Sequence, residues 1–244
     1  MIISHKHQFI FIKPRKVAGT SVEVALSKFC GLDDIITPNI KSSEADAEDY
    51  QDFARNHHGF FNHMSAELIA KKIGKKIWKK YFKFAIVRNP YDMVVSRYFW
   101  NKKNITPRAK PGAVWREIGQ EPLAGHLYKK FIFSCYRSLF HKDLQPDDDF
   151  RTFVLKKLPG NISNNKYYFD KQGRPLNDLV IRYENLDEDY KKVCEKINIP
   201  YEPLPQLKTK TRQKNSYREL YDQELKNLIT KKFKKEIEYF NYQF

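Results

Sequence analysis

Cysteine is scarce: Cys30, Cys135 and Cys194 are the only three in 244 residues, far apart and without a CxxC pair. That excludes a disulfide framework and a thiolate zinc site, and makes a reducing compartment the expectation. Long apolar runs are missing too. The one early run, Phe9 to Ile12, is flanked by His5, Lys6, His7 and Lys13 and is far too short for a signal or membrane segment, and nothing else nears the roughly 18 apolar residues of a membrane span. Acidic residues are in deficit, 29 against 45 lysines and arginines, for a net charge of +16. An anionic partner follows: nucleic acid, a membrane surface, a nucleotide or a polyanionic glycan. With 41% hydrophobic and 15% aromatic residues, the chain is no disordered basic tail. Its length favours a single α/β domain over residues 1–244, cytoplasmic by expectation.

Two segments repeat one pattern. Gln8 to Lys13 (QFIFIK) is a β-favouring run, followed by the basic loop PRKVAG and then by TSVEVALSKF, where Val22, Ala25, Leu26 and Phe29 fall at helical spacing and Thr20 or Ser21 stands near the N-cap. Phe82 to Val87 (FKFAIV) is a second buried strand. It runs through Arg88-Asn89 into Pro90, which suits the first turn of a helix, and Tyr91, Val94, Val95, Tyr98 and Phe99 form that helix's apolar stripe. Between the two lies a loop-rich stretch with an acidic patch (Glu44, Asp46, Glu48, Asp49, Asp52), then His57, His58 and His63, and a short helix from Ser65 to Ile73. Residues 101–147 read as an insertion with short helices, and Asp148 to Leu158 as helical. Lys166 to Asp170, the turn KQGR and Leu179 to Tyr183 read as a hairpin, and Ser216 to Phe240 as one long helix.

In an open parallel sheet, ligands bind beyond the carboxyl ends of the strands, where helix N-termini present free amides and positive dipole ends. The first loop sets Lys16 before Ala18-Gly19-Thr20-Ser21. Small residues let amides approach an anion, hydroxyls donate to it, and lysine adds a charge. An ordinary solvated turn would read the same way. A nucleotide-hydrolysing P-loop needs GxxxxGK[ST] and an acidic residue on a second strand to hold magnesium. Here the first glycine is missing, Lys16 precedes Gly19, and FAIV ends in Arg88. A cation at that place suits a further phosphate and no metal.

The pair IKPRKVAGTS (12–21) and VRNPYDMVVSRY (87–98) resembles the two signature motifs of sulfotransferases that use 3′-phosphoadenylyl sulfate (PAPS). HMSA at 63–66, RYENL at 182–186, the LP…K…R stretch at 204–212 and the YRELYD…FNYQF ending are similar to bacterial-type carbohydrate sulfotransferases, distantly related to the heparan sulfate 2-O-sulfotransferases. The resemblance covers most of the chain, with 101–147 its least family-like part. It implies a P-loop-like three-layer sandwich with a central parallel sheet flanked by helices. It also implies PAPS as donor and adenosine 3′,5′-bisphosphate as product. The acceptor implied is a carbohydrate or glycan hydroxyl, an anionic glycan among those that fit, with no nucleic acid partner.

By the same resemblance, Lys16, with Arg15, Ala18, Gly19, Thr20 and Ser21, lies beside the 5′-phosphosulfate, and Arg88 and Ser96 hold the 3′-phosphate. Arg15 and Val17 stand where the family pattern has proline and threonine. Lys208 and Arg212 belong to a loop that closes over the 3′-phosphate, or to a solvated basic surface. His63 is the expected base, with His57 and His58 as nearby alternatives, because an imidazole is largely neutral near pH 7. No metal site is expected. Trp100, Trp115, Tyr128 and Phe131, interleaved with Lys102, Lys103, Arg108 and Lys110, form either an acceptor lid or the core of the insertion. Competing readings are a P-loop-like kinase and a basic nucleic-acid-binding protein.

Overall fold

The structure, a computed structural model, describes residues 1–38, 53–103, 144–205, 207 and 216–244. A five-stranded sheet carries β1 (Ile2–Ser4), β2 (Phe9–Phe11), β3 (Ile35–Ile36), β4 (Phe82–Val87) and β5 (Leu179–Arg182) in the order β3-β1-β2-β4-β5. β2, β4 and β5 run parallel, with Phe11 beside Phe84 and Ile86 beside Ile181. β1 is antiparallel to β2 and β3 to β1. The sheet is therefore mixed, where a parallel one was expected. The reason is local: β1 reaches β2 through the four residues His5 to Gln8, with Gln8 at φ 53°, and so short a link makes a hairpin and never a parallel crossover. Asp34 holds that corner by accepting from the Ser4 hydroxyl (2.7 Å) and from the amides of His5 (2.6 Å), Lys6 (3.1 Å) and Gly31 (2.8 Å). Burial works against its carboxylate, but these four donors outweigh it and keep the group below its usual range.

Alternation along the strands fills two cores. On one face Phe9, Phe11, Phe84 and Ile86 pack with Val22, Ala25 and Leu26 of α1 (Gly19–Ser27) and with Tyr190 and Val193 of α7 (Leu186–Lys196). On the other, Ile10, Ala85 and Val87 meet Ala66 and Ile69 of α2 (Ala66–Ile73), and beyond it α3 (Lys75–Lys80) leads into β4. Helices thus flank both faces.

A third cluster sets the helix after β4. In α4 (Pro90–Lys103) Tyr91, Val94, Val95 and Tyr98 are buried against Phe150 of α5 (Phe150–Thr152), Phe153 of the π-helical turn that continues it, and Leu225 and Ile229 of α8 (Gln223–Lys232). Each such side chain contributes roughly 1.5–3 kcal/mol. Asn89 starts α4 by accepting from the Tyr91 amide (3.1 Å), and Pro90 between them has no N–H and so needs no acceptor.

Three expectations fail locally. The hairpin shrinks to a single antiparallel bridge, Phe169 to Pro175, across the KQGR turn: Asn165–Tyr168 is a helical turn, α6, and β5 pairs in parallel with β4. Tyr167 and Tyr168 are adjacent and both buried, their hydroxyls reaching the carbonyls of His63 and Ile86, and a helical turn lets neighbours share one interior. The long final helix is broken into a 3-10 turn (Tyr217–Leu220), α8 and α9 (Lys234–Tyr239). Asp222 caps α8 on the Leu225 amide (2.8 Å), and Phe233 leaves helical geometry at φ −108° to bury its ring. Neither Thr20 nor Ser21 caps α1; that place is held by Ala18, without a side-chain bond. No helix among the described residues is long and apolar enough to cross a membrane.

Candidate active site

The loop from β2 to α1 is tightly determined. Lys13 is buried, its ammonium on the Glu23 carboxylate, which also takes the Met1 amine. The lysine stem passes Gly19 so closely that a Cβ there would lie 2.9 Å from its Cγ, a distance only glycine avoids. Lys16 and Ala18 are both left-handed, at φ 62° and 60°. For residues with a Cβ that conformation costs on the order of 1–2 kcal/mol each, strain that concentrates where a backbone must present itself to a ligand. Ala18 puts the first amides of α1 at the mouth of the loop, where a helix start leaves donors for an anion. The Lys16 ammonium lies 4.4 Å from the Trp100 ring centroid.

Arg88, at the end of β4, joins the second loop to the first. It donates to the Lys16 carbonyl (3.1 Å) and pairs with Asp92 (2.7 Å), and its guanidinium stacks 3.8 Å from the Tyr183 ring. Tyr183 is half-buried beneath that charge. Glu184 supports the same corner by accepting from the Asn89 amide (2.7 Å) and the Tyr242 hydroxyl (2.9 Å).

His63 lies against the first loop, its Nδ1 3.0 Å from the Lys13 carbonyl. A carbonyl only accepts, so Nδ1 carries the hydrogen and Nε2 keeps its lone pair. Burial first, then the nearby Lys13 charge, lower the imidazole pKa to about 3. The ring is neutral at physiological pH, the state a base requires.

A second support comes from the far end of the chain. Glu236 of α9 is buried and accepts from the Ser163 hydroxyl (2.6 Å) and the Asn164 amide (2.8 Å). Asn164 in turn clamps Arg15, accepting from its amide (3.2 Å) and donating to its carbonyl (3.0 Å). Loss of water lifts the Glu236 carboxyl to about 7.

Thus Arg15, Lys16, Arg88 and His63 share one loop cluster with Ala18, Gly19, Thr20 and Ser21. Ser96 stands half-buried in the second turn of α4, next to Arg97. His57 and His58 stack on one another, ring centroids 6.0 Å apart, and neither makes the contact to the loop that His63 makes. Lys102 donates to the Pro146 carbonyl (2.5 Å) and Lys103 is exposed. Lys208, Arg212, Arg108, Lys110, Trp115, Tyr128, Phe131, Cys135 and the acidic patch lie outside the described residues. Among the described residues no group of three or more histidine, cysteine or acidic side chains is arranged to hold a metal. Sequence reasoning missed Asn164, Glu236 and Tyr167, which act on the loop from over a hundred residues away, a separation no local motif signals.

Residues 1–160 match the family model of the Sulfotransferase family. An uncharacterised protein of Archaeoglobus fulgidus is 28% identical over 141 residues, covering 57% of this chain and 86% of that protein. Among solved structures, that of a sulfotransferase from Alicyclobacillus acidocaldarius aligns over 97% of this chain and 96% of its own, at 15% identity and a TM-score of 0.40.

Proposed function

We propose that this chain, which belongs to the sulfotransferase family, moves a sulfuryl group from PAPS to a hydroxyl of a carbohydrate or glycan. The observation that carries the reading is one junction: the imidazole with a lone pair on Nε2 is fastened to the same loop that bears Lys16 and the amides heading α1. Base, cation and anion-binding amides thereby meet at the carboxyl end of β2, the site a sulfuryl transfer needs.

The residues present suit a donor with two anionic ends. Lys16, the backbone from Arg15 to Gly19 and the hydroxyls of Thr20 and Ser21 would hold the 5′ end; Arg88 and Ser96 would hold the 3′-phosphate, with Lys208 and Arg212 closing over it. Arg88 already spends part of its fork on Asp92 and Lys16, so it acts from a fixed position. Bound there, PAPS supplies an activated sulfuryl group on a phosphate leaving group. His63 Nε2 takes the proton of the acceptor hydroxyl, and the Lys16 ammonium offsets charge growing on the departing phosphate. Its resting place over Trp100 keeps that ammonium beside the loop. In this reading residues 1–244 are one sulfotransferase domain in a P-loop-like sandwich, with 101–147 on the acceptor side.

The test is turnover of labelled PAPS against a panel of polysaccharides, with Lys16→Ala beside wild type. Lys16→Ala should lower turnover by roughly a hundredfold or more, the scale of one lost transition-state contact, and weaken adenosine 3′,5′-bisphosphate binding only modestly. Unchanged turnover would remove Lys16 from its role.

A further inference from the structure

The segment from Lys71 to Lys80, KKIGKKIWKK, has no part in the site described above. It takes in the end of α2, Gly74 at φ 85° and the whole of α3, and its residues sort in pairs. Lys71, Lys72, Lys75, Lys76, Lys79 and Lys80 are exposed, whereas Ile73, Ile77 and Trp78 are half-buried against the core that holds Ile69. An amphipathic stretch ordinarily turns a face of mixed charge to water. This one turns a face of one sign.

Six like charges in ten residues repel one another. Among the described residues none of the six makes an ion pair. Glu67, four residues before Lys71, is turned instead to the Lys171 amide (3.1 Å), and Asp178 pairs with the buried Lys83 (2.8 Å). Apolar side chains border the strip. Leu68 lies one helical turn before Lys71 and Lys72 and is 39% exposed. Lys72 lies 5.3 Å from the Phe60 ring centroid, and Phe61 beside it in the chain is 52% exposed.

Two features choose among polyanions. All six cations are lysine, a point charge without the planar fork that grips a single phosphate or carboxylate, so the strip suits a diffuse negative field. Leu68 and Phe61 gain little from a hydrated polymer, whereas at a bilayer surface their exposed apolar area leaves water. Lysines along an amphipathic segment, with Leu and Phe at its edge, match an anionic lipid surface in both respects.

We infer that the strip from Lys71 to Lys80, with Leu68 and Phe61 at its edge, is a docking surface for an anionic phospholipid membrane, on which the chain rests without spanning it. The inference is independent of the sulfotransferase reading, because none of these residues belongs to the loops at Lys16 and Arg88.

The experiment is co-sedimentation of the full chain with vesicles of phosphatidylcholine alone and of phosphatidylcholine with about one third phosphatidylglycerol. Wild type should bind the anionic vesicles at least roughly a hundredfold more tightly, and added salt should erode that preference. Lys75→Gln combined with Lys76→Gln should weaken binding about twentyfold, at about fivefold for each lysine. Leu68→Ser, which leaves the charge unchanged, should weaken it by roughly threefold, the share of that side chain still in water. Both lysines are exposed, so their variant should keep its thermal midpoint and its affinity for adenosine 3′,5′-bisphosphate, and Lys79→Gln combined with Lys80→Gln repeats the measurement farther along the strip. Equal binding of wild type to the two kinds of vesicle, or unchanged binding in both lysine variants, overturns the surface. Duplex DNA serves as the competing polyanion: tighter binding to it than to the anionic vesicles, lost in the same lysine variants and untouched by Leu68→Ser, makes the strip a nucleic-acid face and overturns the inference also.

Discussion

Replacing Glu236 by glutamine should remove a pH dependence of stability whose size follows from the structure. The carboxyl is 1% exposed, faces Tyr168, and ionises near 7 instead of at its ordinary 4.5 because burial penalises the charge more than Ser163 and Asn164 stabilise it. An acid with a raised folded pKa stabilises the fold fully below 4.5 and loses that contribution as pH climbs through 7. At about 1.4 kcal/mol per pH unit, the interval from 4.5 to about 7 makes about 3 kcal/mol. Other groups titrate in the same window, so the quantity to follow is the difference between wild type and Glu236→Gln in urea unfolding, taken at steps from pH 4.5 to 8. Glutamine has the same shape and a carbonyl for the Asn164 amide, so a constant offset between the proteins is immaterial. The difference should move by about 3 kcal/mol in favour of the variant as pH rises. A change below about 1 kcal/mol would refute the burial argument for this carboxyl and the support it gives the Arg15 loop.

The remaining predictions concern the loop itself. His63 runs opposite to Glu236: a base depressed from 6.5 to about 3 stabilises the fold above 6.5 and loses that contribution as pH falls toward 3. His63→Asn should therefore flatten the acid limb of the stability profile. The same variant should cost turnover roughly a hundred- to ten-thousandfold, the range of a lost general base, while leaving bisphosphate binding intact by calorimetry; a variant that keeps turnover would move the base elsewhere. Asn164→Ala strips both backbone groups of Arg15 of their partner. At about 1–3 kcal/mol for each buried group left unpaired, it should lower the thermal midpoint and weaken bisphosphate binding together, and loss of stability without loss of binding would mean that Asn164 does not organise the loop.

The two strand-loop-helix units were legible because each packs several strong signals into about twenty residues. QFIFIK and FKFAIV are apolar runs, and Pro90 and the stripe from Tyr91 to Tyr98 mark the second helix. β1 and β3 were not, since IIS and II are too short to show a period; β1 exists by its hairpin with β2, and β3 by pairing with β1. The misread hairpin shows the same limit: KYYFD alternates well enough for a strand, and only the buried hydroxyl partners of Tyr167 and Tyr168 decide for a helical turn. At the candidate site, Lys16, Gly19 and Arg88 stand out through motif context, and His63 through its place in HMSA, since residue type alone does not separate it from His57 and His58. The grip of Asn164 on Arg15 and of Glu236 on Asn164 spans separations of 149 and 72 residues, beyond any local pattern.

The central claim, a donor site built from the loops at Lys16 and Arg88, is tested most directly by calorimetric titration with adenosine 3′,5′-bisphosphate, set against ATP with and without magnesium. The account predicts tight one-to-one binding of the bisphosphate, no dependence on magnesium, and weakening of roughly a hundredfold in Arg88→Ala, the scale of about two lost charge-assisted contacts. Preference for magnesium-bound ATP, or no binding of the bisphosphate, would contradict it.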